Sequence, residues 1–152
     1  AVRPLALEAG ERGLAANWLF EPVGQVSARA GPISFAGGMM AVTPLSPVHA
    51  RVRRLTDGDL DISWIRRGRM DADGWEPRDI TLDEPEERYR LEILNGEGQP
   101  LRRLELTEPR YRYGATEEVF DFGSRQGALG LSIRQIGRLA IGPPLTVLTP
   151  VH

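Results

Sequence analysis

The sequence predicts an all-β chain whose larger part is a sandwich of two sheets, and three observations carry that prediction. Apolar and polar residues alternate in short runs from residue 45 to residue 151; glycine (17) and proline (12) are spread between the runs; and long helical periodicity is missing. Side chains on a strand alternate between faces, so each run has one buried and one wet face. Glycine and proline mark the turns between such strands. A chain of 152 residues holds one domain, or one domain with an appended piece of another.

Taken in order, residues 1–43 are irregular. Gly10, Gly13, Gly24, Gly31, Gly37 and Gly38 interrupt every apolar run, leaving short strands at 13–20 and 33–42. This stretch reads as an arm or as the end of a preceding β-rich domain. Residues 44–152 are sharper. In 47–55, Val48, Ala50 and Val52 share one face, opposite His49, Arg51 and Arg53. In 59–65, Leu60, Ile62 and Trp64 oppose Asp59, Asp61 and Ser63, and in 88–94, Tyr89, Leu91 and Ile93 oppose Arg88, Arg90 and Glu92. Further strands are predicted at 101–106, 110–113, 129–136 and 145–151. The turns carry matching chemistry in Thr56-Asp57-Gly58-Asp59, Asn95-Gly96-Glu97-Gly98 and Gly142-Pro143-Pro144. One stretch, 116–123, reads as a helix, with Thr116 as its cap and Glu117 and Glu118 in the first turn.

Seven short strands, a tryptophan on the second and a tyrosine opening the third describe an immunoglobulin-like sandwich. The pattern resembles a fibronectin type III domain, in which such a tryptophan anchors the core; Trp64 and Tyr89 are the expected core aromatics. With no cysteine in the chain, the inter-sheet disulfide of antibody domains is excluded.

Composition bounds the function. The apolar fraction of 41% supports a real core, and 26% charged residues at a net charge of −2 argue against disorder. Near-neutral charge also argues against a nucleic-acid binder. All 19 basic residues are arginine. Codon bias in a GC-rich genome accounts for that, and selection for planar, stacking cations at interfaces would produce it too. Without cysteine, and with His49 and His152 far apart, neither thiolate ligation nor a zinc site is expected. No apolar run approaches the roughly 18 residues of a membrane span, so no membrane insertion is expected. No signal-peptide pattern is present. The chain opens on Ala1-Val2-Arg3 rather than methionine, which suggests a processed or excised piece of something longer.

The densest segment is Trp64-Ile65-Arg66-Arg67-Gly68-Arg69-Met70-Asp71-Ala72-Asp73-Gly74-Trp75. Guanidinium groups stack on indoles and fork onto carboxylates or phosphates. Arg66, Arg67, Arg69 and Trp75 are therefore candidates for an interface or receptor-binding surface. The structural reading sets Trp64 in the core, Trp75 as a cap on the sandwich, and the arginines in pairs with nearby acids; it is the commoner use of such residues. Asp71-Ala72-Asp73-Gly74 resembles the opening of a calcium loop, but its twelfth position is Leu82 rather than glutamate, so a turn is expected. Asp83-Glu84-Pro85-Glu86-Glu87 reads as a solvated loop, and an acid–base pair needs burial to separate its pKa values. There is no Gly-x-Ser-x-Gly elbow, and no lysine for a phosphate loop. Catalysis is not expected, nor is a cofactor.

Several segments resemble a known family in order: Pro44-Leu45-Ser46-Pro47-Val48-His49, then Gly58 to Arg69, Trp75, Glu87-Arg88-Tyr89-Arg90-Leu91-Glu92-Ile93-Leu94, the Asp121-Phe122-Gly123 turn, and Ser132-Ile133-Arg134-Gln135-Ile136-Gly137. They resemble the C-terminal region of the host-specificity, or tail-tip hub, protein of alphaproteobacterial gene transfer agents and related siphophage tails. The likeness runs from Pro44 to the end, with an echo in 10–20, and its most specific element is Trp-Ile-Arg-Arg-x-Arg. After Ile136 the family continues with a serine and a glycine-rich turn, whereas this chain has Gly137-Arg138-Leu139. The family's glycosidase-like barrel has no counterpart here, so no hydrolase activity is implied. The resemblance implies a fibronectin-like module of a tail tip or baseplate hub in a virion or phage-like particle, assembled in the bacterial cytoplasm. Its partners would be other tail proteins, a homotrimer through the parent hub, and a host-surface glycan or protein. A rival expectation is a carbohydrate-binding accessory module, which needs an exposed aromatic platform such as Trp75 with Tyr111 or Tyr113.

Overall fold

Among the described residues the strands form three antiparallel sheets, and two of them face each other across one apolar core. The computed structural model describes residues 7–19, 31–40, 42–68 and 84–152. The chain divides into two units, Ala1–Thr43 and Pro44–His152.

The described residues of the first unit include a short 3-10 turn at Ala9–Glu11 and an antiparallel pair, β1 (Ala15–Trp18) with β2 (Ile33–Ala36). Both strands are shorter than the 13–20 and 33–42 that apolar content suggested. Gly13 and Gly38, both at positive φ, bound the ladder at one end, where the Gly13 N–H donates to the Gly37 carbonyl at 2.9 Å. Trp18 stacks on Phe35 with centroids 5.1 Å apart, and its indole N–H donates to the Phe35 carbonyl at 3.3 Å. No described residue of either strand is buried.

The second unit contains β3 (Val48–Arg54), β4 (Leu60–Ile65), β5 (Tyr89–Leu94), β6 (Pro100–Leu106), β7 (Arg110–Tyr113), helix α1 (Ala115–Phe122), β8 (Ala128–Gln135) and β9 (Leu145–Pro150). One sheet runs β3-β4-β7 and the other β6-β5-β8-β9. Each strand lies within one or two residues of its predicted segment, because period-two alternation is strict wherever one face is buried. Val52, Leu60, Ile62, Trp64 and Tyr113 face inward from the first sheet, and Tyr89, Leu91, Ile93, Leu129, Leu131 and Ile133 from the second. Burying each such side chain is worth roughly 1.5–3 kcal/mol. The last residues tie the sheets together: Val151 bridges Val52 in parallel, and the Arg54 N–H donates to the His152 carbonyl at 2.7 Å.

Two hairpin turns share one design. Leu55 and Asp59 close the β3–β4 turn and Asn95 and Gln99 the β5–β6 turn, with Gly58 and Gly98 at φ +96° and +79°. That left-handed position is where glycine costs least. At Gly58 a side chain would also meet the Arg125 guanidinium at 2.8 Å.

Helix α1 corrects one expectation. Its cap is Gly114, not Thr116. The Glu117 carboxylate reaches back to accept the Gly114 N–H at 3.1 Å, and Asp59 accepts the Ala115 N–H at 2.9 Å. Acids from within the helix and from the neighbouring turn satisfy the first amides, so the helix begins two residues earlier and Thr116 sits exposed inside it.

Candidate interaction site

Strand β4 delivers the Trp64–Arg67 run to one end of the sandwich. Trp64 points inward at 4% exposure and meets Tyr89 edge-to-face, centroids 5.3 Å apart and planes at 78°. Such aromatic pairs add to the area they bury. Tyr89, fully buried, donates its hydroxyl to the Glu87 carboxylate at 2.5 Å. Burial pushes its phenol well above the ordinary tyrosine value, Glu87 adds to the rise, and the Arg66 guanidinium opposes it.

The alternation continues past the tryptophan: Ile65 is half exposed, Arg66 half-buried, and Arg67 open to solvent. Of the four interface candidates, the structure brings Arg66 and Arg67 together at the end of β4. Arg69 and Trp75 lie outside the described residues, as do Asp71 and Asp73. Tyr111 and Tyr113 do not form an exposed platform. Tyr113 is fully buried with its hydroxyl on Asp121 at 2.7 Å, and the Tyr111 hydroxyl bonds Glu117 at 3.2 Å.

Beside the starts of β5 and the end of β8, a hollow of about 300 Å³ is lined by Pro85, Glu86, Arg88, Ile136, Gly137 and Arg138. Glu84 accepts the Arg138 N–H there at 2.9 Å. Among the described residues, no group of three or more potential ligand side chains gathers that could hold a metal ion, and no helix is long and apolar enough to cross a membrane.

Sequence reasoning missed the opposite end of the sandwich, where helix α1 is held by charge. Glu118, fully buried, takes a bidentate contact from Arg54 with both distances 2.9 Å, and also accepts the Gln126 N–H at 2.7 Å. The Arg54 hydrogen bonds hold its carboxyl below the usual range against the cost of burial. Arg102 of β6 grips Asp121 through Nε at 2.8 Å and Glu117 through Nη1 at 2.8 Å, and lies over the Tyr113 ring. Asp121 is likewise held low, first by Arg102. The signal was present in the spacing of Glu117, Glu118 and Asp121, which puts three acids on adjoining faces of one helix. Nothing in the sequence says which arginines meet them.

The strand order of the second unit defines the class. Its first, second and fifth strands make one sheet, and its fourth, third, sixth and seventh the other, in the arrangement of a fibronectin type III-like sandwich. No family model and no curated protein matches the sequence. Among solved structures it is similar to the extracellular region of rat CD45, domains d3-d4, at 10% identity and a TM-score of 0.48, over 98% of this chain and 70% of that one.

Proposed function

We propose that this chain is a structural module of a phage-like tail tip or baseplate hub of the gene transfer agent type, working in tail assembly and in contact with the host receptor. The observation that carries this reading is the ordered run of segments from Pro44 onward, above all Trp64-Ile65-Arg66-Arg67-Gly68-Arg69, which resembles the hub family's C-terminal region. The local geometry supports it: the tryptophan is core, while Ile65 and Arg67 are turned outward at the end of a strand. An apolar side chain beside an unburied guanidinium is the composition that recurs in protein interfaces. The carbohydrate-binding reading loses Tyr111 and Tyr113 as a platform, since both are engaged inside the sandwich, and rests on Trp75 alone.

The test is Arg67→Glu, alone and with Arg66→Glu, introduced into particles, with thermal melting of the isolated chain to show that it still folds. Loss of particle assembly or of host adsorption with the fold intact is the expected result. Normal assembly and adsorption in both variants would overturn the interface assignment. Tail tape-measure and distal-tail genes beside this one would support the class independently.

A further inference from the structure

The outer face of the three-stranded sheet carries two adjacent cross-strand rows that differ at one position. In the first row Arg53 of β3 pairs with Asp61 of β4, which pairs with Arg112 of β7; in the second, Arg51 pairs with Ser63, which pairs with Arg110. Asp61, at the centre of the first row, is a nearly buried carboxylate that holds Arg110 through Nε at 2.5 Å and Arg53 at 3.8 Å. Arg112 turns to Asp59 at 2.7 Å and to Asp57. The second row has guanidinium groups on both sides and a serine between them. Arg51 is exposed and makes no ion pair or hydrogen bond among the described residues, and Arg110 has 60% of its side chain exposed.

We propose that this gap is a docking site for a carboxylate of a partner protein, an aspartate or glutamate in an extended segment that lies across β3, β4 and β7. Neighbouring strands are about 4.8 Å apart, so the two arginines flank Ser63 at a separation their side chains can close onto one guest. Ser63 offers a hydroxyl donor at the base, and the guanidinium forks match a carboxylate. Charge complementarity selects the partner. The row beside the gap already uses a carboxylate in the equivalent position. Asp57, Asp59 and Asp61 line the same surface, which repels a polyanion such as nucleic acid or an anionic membrane but tolerates a single acid. Half-exposed Ile65, paired with Val48 in the next row, provides an apolar contact for a residue beside that acid. Glu108 adds a more distant negative charge near Arg110 without filling the gap. The site shares Ile65 with the Arg66–Arg67 rim but rests on Arg51, Ser63 and Arg110, so it stands whether or not the tail reading does.

The experiment is an amide-shift titration of the full chain with a short peptide carrying one glutamate between two leucines. The expected result is saturable shifts at Arg51, Ser63 and Arg110, lost with the glutamine peptide and weakened as salt screens the charges. Arg51→Gln should weaken binding about threefold, on the scale of losing one partner of a solvent-exposed charge pair. Ser63→Asp should abolish it by filling the gap from within, while Arg103→Gln on the opposite sheet should leave it unchanged. Absent shifts, shifts elsewhere, or binding that survives Ser63→Asp would overturn the proposal. So would phosphate or phosphatidylserine vesicles competing as well as the peptide, since the surface would then be a general anion site.

Discussion

Where β4 ends and β5 begins, the sandwich closes on carbon: the Trp64 indole stands edge-on to the Tyr89 ring, with Glu87 accepting the tyrosine hydroxyl at the edge and the Arg66 guanidinium near it. Beneath helix α1 it closes on charge, with Arg54 locked onto Glu118 and Arg102 shared between Glu117 and Asp121. Aromatic closure depends on volume and so is indifferent to which strand supplies the neighbours. Ionic closure depends on pairing, and removing one partner leaves the other buried and uncompensated. The two ends should therefore fail differently.

The largest effect belongs to the aromatic end. Trp64→Ala removes the biggest side chain of the core and leaves a cavity that strands cannot collapse into, so it should cost about 4 kcal/mol in urea unfolding. Trp64→Phe should recover most of that loss, because shape and apolarity, not a specific partner, are what the site requires. If the phenylalanine variant were as unstable as the alanine variant, carbon closure would be the wrong description.

At the ionic end the order of single and double changes should invert. Glu118→Ala strands Arg54 beside an empty site and should cost about 3 kcal/mol, whereas Arg54→Met with Glu118→Leu should be less destabilised than either single variant. Additive losses in the double variant would show that packing, not charge, holds helix α1 down.

How far each end was legible in the sequence follows from the same contrast. Trp64 and Tyr89 each sit on an alternating run, and burial of an aromatic needs no knowledge of its neighbour; the pattern alone puts both inside. Arg54 sits at the end of its run, where alternation no longer decides anything, and its partner is 64 positions away. Glu118 looks like a surface residue of a short helix until β3 arrives against it. The cap was misread for the same reason: Thr116 is the better capping residue by type, but Asp59 and Glu117 reach the first amides from elsewhere. At the proposed interface rim, the sequence marks Arg66 and Arg67 through the tryptophan that precedes them. The serine gap between Arg51 and Arg110 needs the register of three strands, two of them separated by 59 positions, to become visible.

Acid should distinguish the ends next. Glu118 and Asp121 have folded pKa values held below their ordinary 4.5 and 3.8 by their arginine partners. A depressed folded value means stabilisation that is complete above the ordinary value and is lost as pH falls through the folded one. Stability should thus decline below about pH 4.5, with amide exchange rising first in helix α1 while the β4–β5 end stays protected. Arg54→Met with Glu118→Leu should flatten part of that decline, and a decline of unchanged depth in that variant would mean that the acid response arises elsewhere.

The smallest difference is also the finest comparison, because both ends contain a buried tyrosine whose hydroxyl donates to a carboxylate. Tyr113 donates to Asp121 at 2.7 Å inside the Arg102 network, and Tyr89 donates to Glu87 at 2.5 Å near the edge of the sandwich. Replacing either with phenylalanine keeps the ring and removes only the donor. Asp121 is nearly enclosed, with 7% of its side chain exposed, so it cannot recover a lost donor from water, and Tyr113→Phe should cost about 1.5 kcal/mol. Glu87 is half-buried and can turn to solvent, so Tyr89→Phe should cost about 0.5 kcal/mol. The two variants should also part in acid. Without the Tyr113 hydroxyl, Asp121 loses one of the groups that lower its pKa, so the acid loss of stability, whose onset the unfolded carboxyl sets, should be shallower and complete at a higher pH in Tyr113→Phe than in Tyr89→Phe, which leaves the contacts of Asp121 in place. Equal costs and coincident pH profiles would show that the two ends, for all their different chemistry, tolerate the loss of a buried donor alike.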